Sequence, residues 1–380
     1  MRIGNIATGF AAVITLTGAI QAQTQDQTQD QSQDQGLTLP QAVWPLGGAE
    51  LRLAGDAGGA LFDTHSTQLA GYARAMPQIR RDYDSGLSLS LQSIFTLADP
   101  RAHGRYDADA VEALYAQAHT GLGVLSVGIT DGAGYALAVG GPKADADMAL
   151  DDPRINFVSA GNTALALRTA VGASSNYAKL VYTSPALFGL QLALSFTPSE
   201  GKQLPFLSAG PHVAGRQADF WDGAIRYEDD MGPVTLSGYV AASLARSEHK
   251  LPGQEGTSDL GFGVRADYPV SDTVTVSLGG SYRQSNAYGF DVNQSWQAGT
   301  TRAWHVSGGA SYGDWNTSLE YGGATADAVA MLPRLHLNGW EAAISYRMSP
   351  SIQIGTGWQR RDDSLKDAVF VHLKLSTSQE

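Results

Sequence analysis

From Ala49 onward, apolar and polar residues alternate with a period of two. In Thr273–Arg283, Val274, Val276, Leu278 and Tyr282 share one face, while Thr273, Thr275, Ser277, Ser281 and Arg283 share the other. Trp340, Ala342, Ile344 and Tyr346 oppose Glu341, Ser345 and Arg347 in the same way, and Val369, Val371, Leu373 and Leu375 oppose His372 and Lys374. Successive side chains of a strand point to opposite faces, so the pattern predicts strands with one dry and one wet side. About sixteen such segments follow one another, a number in the even range of bacterial barrels. They lie near 49–60, 69–82, 86–97, 109–119, 122–130, 175–184, 187–197, 218–229, 232–244, 258–269, 272–285, 301–313, 315–326, 334–347, 351–362 and 366–377.

The connections separate a barrel from a sandwich. Short ones, such as Asp82–Gly86, Asp229–Gly232 and Gly313–Trp315, alternate with long ones, such as Pro198–Gln217, Ala245–Thr257 and Asn286–Thr300. One tight rim and one elaborated rim are the signature of an antiparallel, up-and-down transmembrane β-barrel. Tyr268, Tyr282, Tyr312, Trp315, Tyr346 and Trp358 sit on the apolar parity near segment ends. There an amphipathic ring meets both lipid and water. Alternation is poorer in Ala110–Ala118 and Gly123–Ile129. Strands packed on protein on both faces lose their clean pattern, so this stretch is the expected contact between subunits.

The residues before the barrel have a different character. Met1–Ala22 opens on Arg2, runs apolar from Ile6 to Ile20 and ends at Ala22. A basic start, a short apolar stretch and a small exit residue make a secretory signal. Residues 23–48 form a spacer whose Gln23–Gln35 portion repeats Gln, Asp, Thr and Ser. That portion has nothing apolar to bury and cannot offset its own ordering entropy. The barrel domain then occupies 49–380.

Composition agrees. Charged residues are 16% of the 380, with 44 glycines. A soluble domain carries roughly 25% charged residues. No run of about 20 apolar residues marks a spanning helix. The absence of cysteine removes disulfides and Cys-ligated metals. A net charge of −12 argues against nucleic acid as a partner. No His-Glu-x-x-His, Gly-x-Ser-x-Gly or Walker A pattern is present. His103, His212, His249 and His336 read as solvated loop side chains, and Gly55–Gly59 as a closely packed strand rather than a phosphate loop. The sequence points to no catalytic set, cofactor or metal.

Two stretches carry a family likeness. Tyr106–Tyr135 contains Glu112-Ala113-Leu114-Tyr115, Thr120-Gly121-Leu122-Gly123 and Asp131-Gly132-Ala133. Leu180–Pro198 reads Tyr182-Thr183-Ser184-Pro185, Phe188-Gly189-Leu190-Gln191-Leu192 and Ser195-Phe196-Thr197-Pro198. The chain resembles the sixteen-stranded general porins of Gram-negative bacteria, especially the alphaproteobacterial kind, over most of Ala49–Ser376. The resemblance implies a homotrimer in outer-membrane lipid, each barrel passing small hydrophilic solutes and ions by passive diffusion. A sugar- or anion-selective porin is the nearest alternative, ahead of an outer-membrane barrel enzyme or a structural barrel with a plugged lumen. The chain departs from the family by ending on Ser376-Thr377-Ser378-Gln379-Glu380 rather than an aromatic residue, and by lacking a Pro-Glu-Phe-Gly-Gly motif.

The longest connection, Asp131–Ser174, is too long for a simple connector. The resemblance implies that it folds inward and narrows the pore. It carries Asp131, Asp145, Asp147, Asp151 and Asp152, with Lys143, Arg154 and Arg168. The expected opposing wall is basic: Arg52, on the parity of Glu50 and Asp56, and Arg74 and Arg80, on the parity of Gln78. Opposite charges across a narrow aqueous gap tune ion selectivity.

Overall fold

The computed structural model describes residues 41–63, 67–98, 111–153, 155, 166–174, 177–200, 216–248, 250–286, 299–328, 334–362 and 367–377. The expected signal Met1–Ala22, the Gln23–Gln35 tract, Arg154, and His103, His212 and His249 lie outside these residues. The elements are β1 (Ala42–Leu46), β2 (Ala49–Asp63), β3 (Thr67–Asp82), β4 (Ser88–Ala98), β5 (Val111–Thr120), β6 (Gly123–Ile129), β7 (Ala178–Thr183) and β8 (Leu190–Ser199). They continue with β9 (Gln217–Met231), β10 (Val234–Ser247), β11 (Ser258–Ser271), β12 (Val274–Ser285), β13 (Thr301–Tyr312), β14 (Trp315–Ala326), β15 (Leu335–Ser349), β16 (Ile352–Arg361) and β17 (Asp367–Ser376). A single helical turn, α1 (Ala133–Ala136), follows β6.

Strands β2 to β17 each pair antiparallel with the next, and β17 pairs back onto β2, closing a sixteen-strand barrel. They coincide with the sixteen segments expected from the alternation. The additional strand is β1, within the stretch read from sequence as spacer. It completes one edge of β2: β17 covers Asp56–Asp63, and β1 covers Ala49–Leu53. At the junction the Thr377 N–H donates to the Gly55 carbonyl at 2.9 Å, and the Gly55 N–H donates to Thr377 Oγ1 at 3.2 Å.

Burial is inverted relative to a water-soluble protein. Leu278 is 67% exposed and Phe262 54%, whereas His305, Glu320 and Glu341 are 0% exposed. The outer face is apolar because lipid is its solvent, and the polar parity faces the lumen. Aromatic rings band the outside. Trp304 packs edge-on against Tyr321, with ring centroids 4.8 Å apart, and Tyr321 stacks on Trp340 at 3.9 Å. Nearer the tight rim, Trp315 packs on Tyr346 at 4.7 Å. His336 lies on β15, exposed, rather than in a loop.

Candidate functional site

The lumen face is not uniformly polar. Toward the long-loop rim it carries Ala60, Phe62, Ala303, Ala324, Leu337 and Phe370, all buried. Toward the tight rim it carries Glu50, Arg52, Arg80, Arg226, Glu228, Arg265 and Asp267, paired within their own strands. The apolar half receives the segment between β6 and β7. Met148 and Ile155 pack with Ala60, Phe62, Tyr72 and Phe370. Leu150 and Leu167 pack with Ala303, Ala324 and Leu337. Leu137, Val139 and Val171 pack with Ala193, Ala224 and Tyr239. The hydrophobic effect thus draws the loop into the barrel and onto its wall.

Polar contacts fix its course. At the root, the Ala133 N–H donates to Ser195 Oγ at 3.1 Å, and Ser195 Oγ donates to Asp222 Oδ2 at 2.6 Å. The Ser174 hydroxyl at the loop's far end also donates to Asp222, and the buried Lys179 ammonium donates to the Ser174 carbonyl. Midway, the Ala144 N–H donates to Ser318 Oγ at 2.9 Å, and the Ala144 carbonyl accepts from Ser345 Oγ at 2.7 Å. Gln359 Nε2 donates to the Met148 carbonyl at 3.2 Å. The return limb is held where Tyr239 OH donates to the Thr169 carbonyl at 3.3 Å. Two glycines let the backbones touch. A Cβ on Gly263 of β11 would lie 1.9 Å from the Val139 carbonyl oxygen, and one on Gly141 would lie 3.0 Å from the Gly279 carbonyl oxygen of β12. No other residue fits such approaches.

The loop therefore follows the inner wall from β8 and β9 past β11, β13 and β14 to β17 and β3. There Asp145 Oδ2 meets His372 Nδ1 at 2.6 Å. Asp147 Oδ2 accepts from Tyr72 OH at 2.7 Å and lies 3.3 Å from Lys374 Nζ. Asp151 Oδ1 lies 2.5 Å from Lys143 Nζ, and its Oδ2 lies 3.9 Å from His305 Nδ1. Asp152 takes Arg168 Nε at 3.2 Å and the Tyr135 hydroxyl at 2.8 Å. Asp131 is half-buried at the loop's start.

Burial works against the Lys143 ammonium, but Asp151, Glu320 and Asp152 raise its pKa above an ordinary lysine's. Burial likewise opposes the Asp151 carboxylate, but Lys143 holds its pKa down at about 2. Burial, then the neighbouring Asp152, raises the Tyr135 phenol.

The three arginines of the early strands are each matched with strand carboxylates. Arg74 meets Asp56 at 2.5 Å and Glu112 at 3.2 Å, Arg52 meets Glu50 at 2.7 Å, and Arg80 meets Asp82 at 3.0 Å. Asp145, Asp147, Asp151 and Asp152 come together with His305, His372, Lys143, Lys374 and Arg168 instead. The sequence reading did not single out Tyr72, Lys179, Asp222, His305 or Glu320 for the lumen. Their one signal was the wet parity of their strands.

Known proteins share this architecture. A Salmonella typhi OmpF in complex with daunomycin superposes with a TM-score of 0.60 at 14% identity, covering 88% of this chain and 100% of that one. A loop-deletion mutant of OmpT, an outer membrane protein of Vibrio cholerae, gives 0.57 at 10%, over 87% and 99%. An anion-selective porin from Comamonas acidovorans gives 0.52 at 12%, over 86% and 99%. No curated protein sequence matches the chain. The family model described as Gram-negative porin matches residues 6–373. With that match running nearly end to end on a closed barrel, the chain belongs to the Gram-negative porins and works as an outer-membrane channel for passive diffusion.

Proposed function

We propose that the solutes are small and hydrophilic and that the Asp131–Ser174 loop sets the narrowest section of the pore. The observation that carries this is the loop's course inside the barrel along the lumen wall, bonded at its root to β8 and β9 and at its tip to β17 and β3. Asp145, Asp147, Asp151 and Asp152 then serve chiefly to anchor it, being engaged by wall or loop side chains. Asp131 adds charge at its root. Arg52, Arg74 and Arg80, each beside its carboxylate, grade the field that an ion crosses.

The test is a planar-bilayer recording of the purified protein with and without Lys143–Asp152. The deletion is expected to raise single-channel conductance. Unchanged conductance in a folded deletion variant would place the constriction elsewhere and overturn the assignment. The barrel is expected to act as a channel without hydrolase activity.

We also infer a homotrimer. One solved form of Vibrio cholerae OmpT is a trimer. The outside of this barrel also differs around its circumference. Trp221, Phe262, Tyr282, Trp304, Tyr321 and Trp340 ring β9 to β15, while the same face of β2 and β3 carries no aromatic residue, and its Ala57 and Ala73 are buried within the one chain. A face without an aromatic band suits a neighbouring barrel better than a lipid headgroup. The contact extends over β2 to β6 and includes Ala110–Ala118 and Gly123–Ile129. Export uses Met1–Ala22, whose removal leaves Gln23 as the mature amino terminus.

A further inference from the structure

Two histidines project from the wall into carboxylates of the loop, and their surroundings are built alike. His372 has one ring nitrogen, Nδ1, on Asp145 at 2.6 Å, and the other, Nε2, 3.8 Å from Asp147 Oδ2. His305 has Nε2 on Glu320 at 3.2 Å, and Nδ1 3.9 Å from Asp151 Oδ2. In each case a lysine sits on the second carboxylate: Lys374 on Asp147, Lys143 on Asp151. Both rings are 0% exposed, and His372 Nε2 and His305 Nδ1 have no hydrogen-bond partner among the described residues.

The two surroundings differ in what the second carboxylate has left to give. Asp147 Oδ2, the oxygen facing His372, already takes the Tyr72 hydroxyl at 2.7 Å and Lys374 at 3.3 Å. Among the described residues, Asp151 Oδ2, facing His305, has only Thr169 Oγ1 at 3.5 Å, because Lys143 sits on the other oxygen, Oδ1. Around His305 there is also surplus negative charge. Glu320 and Glu341 are directly paired across β14 and β15, both 0% exposed, and Glu341 Oε1 has no hydrogen-bond partner among the described residues. Like charges held opposite each other on a sheet repel. Among the described residues, Asp151, Glu320 and Glu341 all lie on the side of His305 where Lys143 sits.

We propose that this porin binds one divalent first-row transition-metal ion per chain, of the zinc class, between His305 Nδ1 and Asp151 Oδ2. Glu320 acts as a positioning residue: it accepts the Nε2–H, fixes the tautomer and turns the Nδ1 lone pair toward Asp151. A donor pair of one imidazole nitrogen and one carboxylate oxygen suits zinc, copper or nickel rather than calcium, which prefers oxygen alone. The 3.9 Å gap is too long for a hydrogen bond. A tetrahedral ion at about 2.1 Å from each donor spans roughly 3.4 Å, so closing on it takes about half an ångström. Lys143 is 23% exposed, which gives the pocket an edge on the lumen. Such an ion would tie the loop to β13, whether or not the loop is the narrowest part of the pore.

The test is equilibrium dialysis of the purified, detergent-folded protein, stripped with chelator and titrated with zinc, with cobalt as a visible-spectrum probe. One ion per chain is expected, with a cobalt spectrum of nitrogen and oxygen ligation. His305→Ala and Asp151→Asn should each lower affinity at least tenfold, while Glu320→Gln should weaken binding yet keep one ion per chain. His372→Ala should leave affinity unchanged. Heat-modifiable gel mobility reports that every variant is folded. Failure of the folded protein to bind zinc at millimolar concentration, or equal binding by His305→Ala, would overturn the site. Loss in His372→Ala without loss in His305→Ala would do the same.

Discussion

On the wall, neighbours in sequence live in different solvents; on the loop they share one. Leu319 is 56% exposed on the lipid side of β14, and Glu320, the next residue, is 0% exposed on the lumen side. From Asp147 to Asp151, by contrast, every residue is buried against other protein. The wall is held by hydrogen-bond ladders indifferent to side-chain identity, so lipid and water need only select the parity. The loop has no ladder, and individual side chains hold it: Ser195, Asp222, Ser318, Ser345, Gln359 and Tyr72. A wall position should therefore respond to which way it faces, and a loop position to which partner it loses.

The largest effect is expected on the wall. Val276→Arg should cost about 2–4 kcal/mol of folding stability in lipid vesicles, because the charge meets hydrocarbon. Ser277→Arg, one residue on and facing the lumen beside Asp267, should be tolerated. Urea unfolding of both variants checks the contrast, and equal losses would erase the two-solvent account. Next comes the loop root. Asp222→Ala removes the acceptor shared by Ser174 and Ser195 and the carboxylate nearest Lys179. A loss of about 1–3 kcal/mol in loop anchoring is expected, by the ordinary cost of stranding buried polar groups. Proteolysis should then cut within the loop while the barrel keeps its mobility on a gel.

A smaller effect concerns ion preference. Arg74→Ala uncovers Asp56 and Glu112, so reversal potentials should shift toward cations. The shift should fade at 1 M salt, where screening acts over about 3 Å. The smallest is a pH effect at Tyr135. Its pKa is raised in the folded protein, so its contribution is fully present below the unfolded value near 10 and is lost as pH rises through the higher folded value. A difference ultraviolet titration against Tyr135→Phe should show one phenol ionising late. Ordinary titration of that phenol would mean that the loop root is open to water.

The sixteen wall strands were legible because two solvents impose a two-residue period on them. β1 was not. Ala42-Val43-Trp44-Pro45-Leu46 is short, lacks alternation and contains a proline, which ordinarily demotes a strand. Here Pro45 is accommodated opposite Glu50 at the end of β2. The upper lumen face was also misleading. Phe62, Leu337 and Phe370 sit on the parity read as wet, because the loop covers them and they meet protein rather than water. The length of the loop was visible, but its path was not. Asp145 meets His372 across 227 residues, and Leu150 meets Glu320 across 170, and no local period encodes such pairings. Asp151 and His305 could each be named from the sequence, but their meeting depends on where the loop runs along the inner wall.

The seam on β2 bears on how the molecule is made. Asp56 pairs with Ser376 and Leu53 with Ala42, so one strand edge is completed from both ends of the barrel-forming chain. Every other wall contact links strands adjacent in sequence and can zip progressively as hairpins. Closure alone must wait for the last strand, with the loop entropy of the whole intervening chain against it. Until then two sheet edges remain unpaired, a state that hydrocarbon does not tolerate. Insertion and closure are therefore expected to be a single slow event. A variant weakened only at the Gly55–Thr377 junction should stall as a membrane-bound open sheet rather than unfold from its finished state.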